Sequence, residues 1–399
     1  MRKSLLTTLI LLSSSSIWSQ SVTGRLLDSL SQEPISYAHI YSKSFDLGTI
    51  SNDLGEFEIK LPKGENISLM ISHIAYYPVN LVVKYDTILN IRMSKNIITL
   101  QEVEVTNERA IGIAEEVMTK LRKAKASYGR AFYRQLIFQD TLATEFIEAF
   151  YNVSFSQNGI EEFKVEQARF ARKKHDSSSV FVAHTNFSYL TVGYKLFTEN
   201  KETVFGKPFA EIFFKQYNFI LKKEFTKGQD SYAIIGFMPK KEINNLINSY
   251  GYFIYNTTQK RLVEYRASVD HGLGADNIDK YVGDKNVKII NPKYSWIISF
   301  SDTGNLIDYI LVDYSYDLTI NNKVIPSYVS SKMVFYEKNS KPHKKLREPG
   351  ITLEDFTIFK NAKYKPKFWR DNPIIKRTPK EEEIISSFEK ENAFGSYFK

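Results

Sequence analysis

The sequence predicts a mainly β protein, α+β overall, and three observations predict it. Apolar and polar residues alternate with a period of two through long runs, the signature of strands with one buried face. Aromatic residues reach 14%, with 28 Phe and 25 Tyr against 3 Trp and 18 Gly, a bias toward pleated surfaces. Turn residues separate the runs at short intervals. With 399 residues and 43% hydrophobic content, the chain is long enough for two or three domains with real cores. It has no Cys, which excludes disulfides, thiolate metal sites, iron–sulfur clusters, thiol chemistry and a lipid anchor on an N-terminal Cys.

Arg2 and Lys3 precede the apolar stretch Leu5 to Leu12, then Ser13 to Ser16 and a small residue at Ser19. That is the order of a secretory signal peptide, expected over residues 1–19 with cleavage near Ser19/Gln20. The apolar run is far shorter than the roughly 20 residues of a membrane span, and no later run is longer, so no transmembrane helix is expected in the mature chain. The expected location is the periplasm or the outer membrane surface. Charge is unevenly shared: residues 20–105 are net −3 and residues 106–399 net +10. A basic body on an exported protein suits envelope proteins, anionic lipid or glycan as partners, and not nucleic acid, which it would not meet.

Residues 21–105 read as short strands: Val22 to Leu27, Ala38 to Tyr41, Phe57 to Leu61, Ile67 to Ile74 and Ile88 to Met93, with turns at Pro34 and Asn52-Asp53-Leu54-Gly55. Strands at this spacing predict a small β-sandwich. The ordered pieces Gly24…Asp28, Pro34 with Ala38-His39-Ile40, Gly48-Thr49-Ile50-Ser51-Asn52, Gly55-Glu56-Phe57, Leu61-Pro62, Ser72-His73-Ile74-Ala75-Tyr76 and Leu100-Gln101-Glu102-Val103-Glu104-Val105 resemble the carboxypeptidase regulatory-like domain. The resemblance implies a transthyretin-like sandwich of the kind found at the start of Gram-negative envelope proteins. Gly48 and Gly55 suit turn positions with positive φ, while Phe57 and Tyr76 supply core area. Ala75 departs from the Gly usual before the Tyr, which bears on the local turn.

After Val105 the period changes. Ala110, Ile113, Ala114, Val117, Leu121 and Ala124 recur at helical spacing, and Lys120, Arg122, Lys123 and Lys125 load the end, predicting a connecting amphipathic helix over 106–129. It either lies on a membrane surface or packs on a sheet with a solvated basic face. From 130 to 340 alternation returns, with hairpins marked at Asn256 to Lys260 and Asp302 to Asn305, predicting a larger curved antiparallel meander. Residues 341–399 read as a basic, Pro-containing extended arm followed by a capped helix: Thr378 is the cap, Pro379 the first position, Glu381 completes a capping box, and Ile384, Ile385 and Phe388 form the apolar stripe.

Chemistry is sparse. His39, His73, His175, His184, His271 and His343 include no His-Glu-x-x-His frame, so the zinc enzyme suggested by the domain's name is not expected. There is no Gly-x-Ser-x-Gly elbow and no Walker loop; Gly272-Leu273-Gly274 reads as a plain loop and Asp276, Asp279 and Asp284 as a solvated acidic turn. The expectation is a protein that is not an enzyme, with no catalytic residue, cofactor or metal. Ile147, Tyr151 and Phe155 alternate in phase, as do Tyr314 and Tyr316, so together they form either a dry core or an apolar-ligand face. In pattern the meander is similar to the half-barrel of lipoprotein carriers.

The reading is an exported, non-enzymatic envelope binding or scaffold protein. The alternatives are a carrier of an apolar ligand such as lipid, or an outer-membrane β-barrel related to TonB-dependent receptors, whose plug the same sandwich precedes. Charges such as Glu148, Lys164, Arg169 and Lys332 inside the strand runs weigh against the barrel.

Overall fold

The computed structural model describes residues 19–62, 66–84, 87–96, 107–173, 187–199, 205–241, 247–270, 287–302, 306–320, 323–342, 345–348, 359 and 364–395. The signal segment, the Leu100 to Val105 piece, His175, His184, His271, His343, the Gly272 loop and the Asp276, Asp279 and Asp284 turn lie outside these residues.

The N-terminal part contains β1 (Ser19–Asp28), β2 (His39–Ser42), β3 (Leu47–Ile50), β4 (Glu56–Pro62), β5 (Ile67–His73), β6 (Tyr76–Val83) and β7 (Ile88–Met93). They form two layers, β4-β1-β7 and β3-β2-β5-β6. Alternation drives the sandwich: Val22 and Leu26 from β1, Phe57 and Ile59 from β4, and Leu69 and Ile71 from β5 meet in one buried core. Gly24 lies opposite Phe57 in the register, and a Cβ there would fall 2.6 Å from that ring. Gly55 takes the positive φ its turn needs, 72°. Gly48 does not: it is a strand residue of β3, kept small because a Cβ would come within 3.0 Å of His39 Nε2 and 3.3 Å of the Ile40 carbonyl. Ala75 closes the β5–β6 hairpin without positive φ, which is why it can replace the family's Gly.

Next come α1 (Asn107–Arg122), β8 (Ser127–Gln139), β9 (Leu142–Ser156), β10 (Gly159–Arg172), α2 (Tyr189–Val192), β11 (Phe205–Gly206), β12 (Tyr217–Lys227), β13 (Asp230–Pro239), β14 (Ile247–Asn248), β15 (Tyr250–Asn256), β16 (Arg261–Val269), β17 (Val287–Phe300), β18 (Ile307–Ile320) and β19 (Lys323–Glu337). The helix is shorter than the 106–129 span: beyond Leu121 the helical stripe gives out, and β8 has already begun at Ser127. Ten strands form one antiparallel sheet in the order β12-β13-β15-β16-β17-β18-β19-β8-β9-β10. Bulges in the β9–β10, β12–β13 and β17–β18 ladders bend and twist it. Its inner face holds a continuous core with Ala110, Ala114, Val117 and Leu121 of α1, and with Leu190, Tyr194 and Phe209 from the stretch after β10. α1 is therefore a packed helix; of its basic residues Arg109 pairs with Glu224 (2.5 Å) and Arg122 with Glu211 (2.6 Å).

The sandwich joins this sheet where Leu47 of β3 pairs with Glu337 of β19. Lys332 to Asp53 (2.9 Å) is an ion pair across the junction, and the buried His39 imidazole lies 3.6 Å from Asp308, which itself pairs with Lys338. The C-terminal segment is not extended throughout, as expected of an arm. It contains α3 (Pro366–Asp371), whose Trp369 is pulled into a core with Ile50, Phe132, Phe150 and Val334. Burial of Trp369, with Phe368 meeting Phe150 edge-on at 5.3 Å, stabilises a turn of helix that the local sequence does not favour. α4 (Pro379–Lys390) closes the chain over Leu136, Phe146 and Ala171. Its cap is the expected box, with the Thr378 hydroxyl accepting from Glu381 N at 3.2 Å and Glu381 Oε2 accepting from Thr378 N at 2.8 Å.

Candidate functional site

The aromatic face points into the interior. Ile147, Tyr151 and Phe155 of β9 and Tyr314 and Tyr316 of β18 are all buried in the inner core. Phe155 stacks on Phe335 at 4.4 Å, Tyr151 meets Phe163 edge-on at 5.6 Å, and Tyr314 lies between Tyr294 (4.2 Å) and Tyr316 (4.7 Å). Trp296 donates its indole N–H to the Leu190 carbonyl at 2.9 Å, tying the stretch around α2 onto this face. Lys207 is also buried beside it. Burial and the charge of Lys195 push its ammonium down to about 7.

A cavity of about 900 Å³ lies elsewhere, under the C-terminal segment. Glu56 and Glu58 project into it from β4, Arg169 from β10, Arg370 from α3, Lys376 and Arg377 from the link to α4, and Glu382 and Glu389 from α4 itself. Tyr364, Trp369 and Phe394 supply aromatic walls. Tyr364 stacks on Phe394 at 4.7 Å and donates its hydroxyl to Glu389 at 2.6 Å. The charges are partly matched, Lys376 to Glu56 at 3.7 Å and Arg377 to Glu382 at 3.3 Å. Among the described residues no three His, Asp or Glu side chains converge as a metal site.

A buried ion network braces the cleft's inner wall. Arg134, Glu148 and Arg169 lie directly opposite one another on β8, β9 and β10. Arg134 Nε donates to Glu148 Oε1 at 2.7 Å, and Arg169 Nε and Nη2 donate to Oε2 at 2.8 and 2.5 Å. Arg134 also reaches Glu381 of the α4 cap at 3.2 Å and the Ile375 carbonyl at 3.1 Å. Burial alone would raise the Glu148 carboxyl, but the guanidiniums of Arg169, Arg134 and Arg377 outweigh it and hold it down at about 2. The Arg169 guanidinium is further packed between Trp369 (4.9 Å) and Phe146 and Phe394 (5.1 Å each). Reading the sequence found Glu148 and Arg169 as charges inside strand runs but did not join them. The signal was there in their in-strand position; the register that aligns them was not.

Comparison with known families matches residues 22–105 to the CarboxypepD_reg-like domain. The N-terminal sandwich is a carboxypeptidase regulatory-like domain. The family of that domain is non-catalytic. No curated protein matches the chain. Among solved structures, a protein from Bacteroides uniformis ATCC 8492 proposed to bind carbohydrate is similar over 34% of this chain and 89% of its own, at 8% identity and a TM-score of 0.17. A LolA superfamily protein from Nitrosomonas europaea is similar over 59% of this chain and 94% of its own, at 11% identity and a TM-score of 0.23. Beyond the regulatory-like domain, among the described residues no helix is long and apolar enough to cross a membrane.

Proposed function

We propose that the chain is exported and acts, without chemistry of its own, as a binding or scaffold protein of the cell envelope, with the cleft under the C-terminal segment as its recognition site. The observation that carries the reading is the composition of that cleft: the regulatory-like domain contributes Glu56 and Glu58, and the segment from α3 to α4 contributes Arg370, Lys376, Arg377 and Glu382. A site with both charge signs and aromatic walls fits a segment of a partner protein that carries carboxylates and donors. The Arg2, Lys3 and Leu5 to Leu12 pattern supports export. The barrel alternative draws no support from the sheet, because among the described residues its end strands, β10 and β12, do not pair with each other.

Trp369 makes the reading testable. If processing removes Trp18 with the signal segment, only Trp296 in the core and Trp369 at the cleft remain to report. Titration with a mixed-charge envelope peptide is expected to shift the emission of the mature protein and not of Trp369→Phe. A shift produced instead by a carboxylated glycan would replace the partner, and a shift retained in Trp369→Phe would remove the cleft as the site. Export is tested separately, by a mature N-terminus at or near Gln20.

A further inference from the structure

The outer face of the large sheet is covered by the regulatory-like domain, α3 and α4, and Ile74 of that domain also packs near Phe225, Tyr232 and Ile254 on β12, β13 and β15, which leaves uncovered the opposite end of these strands, around Ile220, Gly236, Met238 and Tyr250. We propose that this uncovered end docks on the surface of a membrane rich in anionic phospholipid. A trough of about 610 Å³ runs across it. Its shape has a local cause. Gly236 lies opposite Ile220 on one side and Tyr252 on the other, so the sheet presents a gap between larger side chains. The stem of Lys222 lies across that gap, and a Cβ on Gly236 would fall 2.4 Å from Lys222 Cε.

The side chains around the gap match the boundary between acyl chains and phosphate. Ile220 and Met238 are 39% and 50% exposed, an apolar pair at the surface. Tyr250 and Tyr252 are half-buried rings with polar tips, the residue type that settles at the headgroup level. Lys222, Lys241 and Arg266 complete the lining, and among the described residues no carboxylate side chain lines the trough. Two acids stand behind it and are already engaged: Glu264 is buried and holds Arg266 at 2.7 Å, and Asp270 accepts from the Tyr250 hydroxyl. Lys222 and Lys241 have no carboxylate partner among the described residues. The Lys222 ammonium lies over the Tyr252 ring at 5.9 Å, and a long apolar stem ending in an ammonium without a carboxylate can bury its carbons among acyl chains and keep its charge at the phosphates. The net charge of +10 over residues 106–399 adds long-range attraction of the same sign.

The surface is separate from the cleft. It depends on the export reading only for the setting in which such a membrane is met, and isolated vesicles test it independently of the mature N-terminus. The experiment is flotation of the full mature chain with vesicles of phosphatidylcholine alone and of phosphatidylcholine mixed with phosphatidylglycerol, at low and high salt. The expected result is binding to the anionic vesicles that weakens with salt. Replacing both lysines, Lys222→Ala with Lys241→Ala, is expected to weaken it roughly thirtyfold, the effect of two near-surface cations. Met238→Asp is expected to weaken it as well, and its thermal melt should match the parent because the side chain is exposed. The comparison pair Lys380→Ala with Lys390→Ala on α4 should change little. Equal binding to neutral vesicles, or an equal loss in the α4 pair, would overturn the proposal.

Discussion

Arg134 and Glu148 face each other across the β8–β9 ladder with Nε and Oε1 2.7 Å apart, and both are almost wholly removed from water. Arg169 approaches the second carboxylate oxygen from the other side. Two guanidiniums on one buried carboxylate carry a positive excess, which Glu381 of the α4 cap relieves at 3.2 Å. The network therefore links three strands to the segment that roofs the cleft. Glu148→Gln is expected to destabilise the protein by about 3–5 kcal/mol, because two buried cations lose their main counter-charge. Replacing all three residues together by Leu or Met should recover most of that loss. Urea denaturation of both variants checks the pair of outcomes.

Acid should weaken the structure in two steps. His39 is buried, and burial, with Lys338 adding to it and Asp308 opposing, lowers its imidazole from 6.5 to about 4. The unfolded chain then binds a proton that the folded one refuses, so stability is full above pH 6.5 and is lost as pH falls toward 4, on the order of 3 kcal/mol. Glu148 is lowered from 4.5 to about 2, so its contribution is full above pH 4.5 and is lost as pH falls through 2. Thermal melts across this range should show both losses. In His39→Gln the first should shrink but not vanish, because burial also lowers the His73 imidazole to about 4, and the second should remain.

Capping predicts a graded pair. Thr378→Ala removes one cap bond from α4 and is expected to cost about 1 kcal/mol. Glu381→Ala removes the other half of the box and the Arg134 contact, so its cost should be clearly larger. Limited proteolysis around α3 and α4 should accelerate in the same order.

The regulatory-like domain has a core of its own, with Val22, Leu26, Phe57 and Ile71 all buried within it. Residues 20–105 are expected to fold alone with a cooperative melt and a β-type circular dichroism spectrum. The melting temperature should be lower than in the whole chain, because Asp53 then loses Lys332 and Ile50 loses Trp369. A fragment that stays unfolded until residues 106–399 are supplied would show that the docking surface is part of its core.

What could be read from the sequence was local in origin. The α4 box follows from Thr378, Pro379 and Glu381 within four positions, and strand periodicity shows in any short window. α3 was not legible because Trp369 is held by Phe150 and Ile50, which lie hundreds of residues away in the chain. The cleft was hidden for the same reason. Glu56, Arg169 and Arg370 meet only after the sandwich has docked and the C-terminal segment has crossed the sheet.

The final prediction concerns the aromatic face named from alternation alone. Tyr316 is 5% exposed and lies against Tyr314 at 4.7 Å and Phe187 at 6.2 Å. If these rings form a sealed interior, Tyr316→Ala opens a void whose walls cannot close, because β18 is fixed by β17 and β19 on either side. The cost is then about 3–5 kcal/mol, the range for truncating a buried aromatic. If they line a pocket, the ring already faces replaceable contents, stability changes little, and ligand retention falls. Chemical denaturation separates these outcomes, and native mass spectrometry of protein purified without detergent gives an independent reading of the same question. A clean mass together with a large loss of stability is the expected result; a lipid-sized adduct that disappears in Tyr316→Ala would make the protein a carrier.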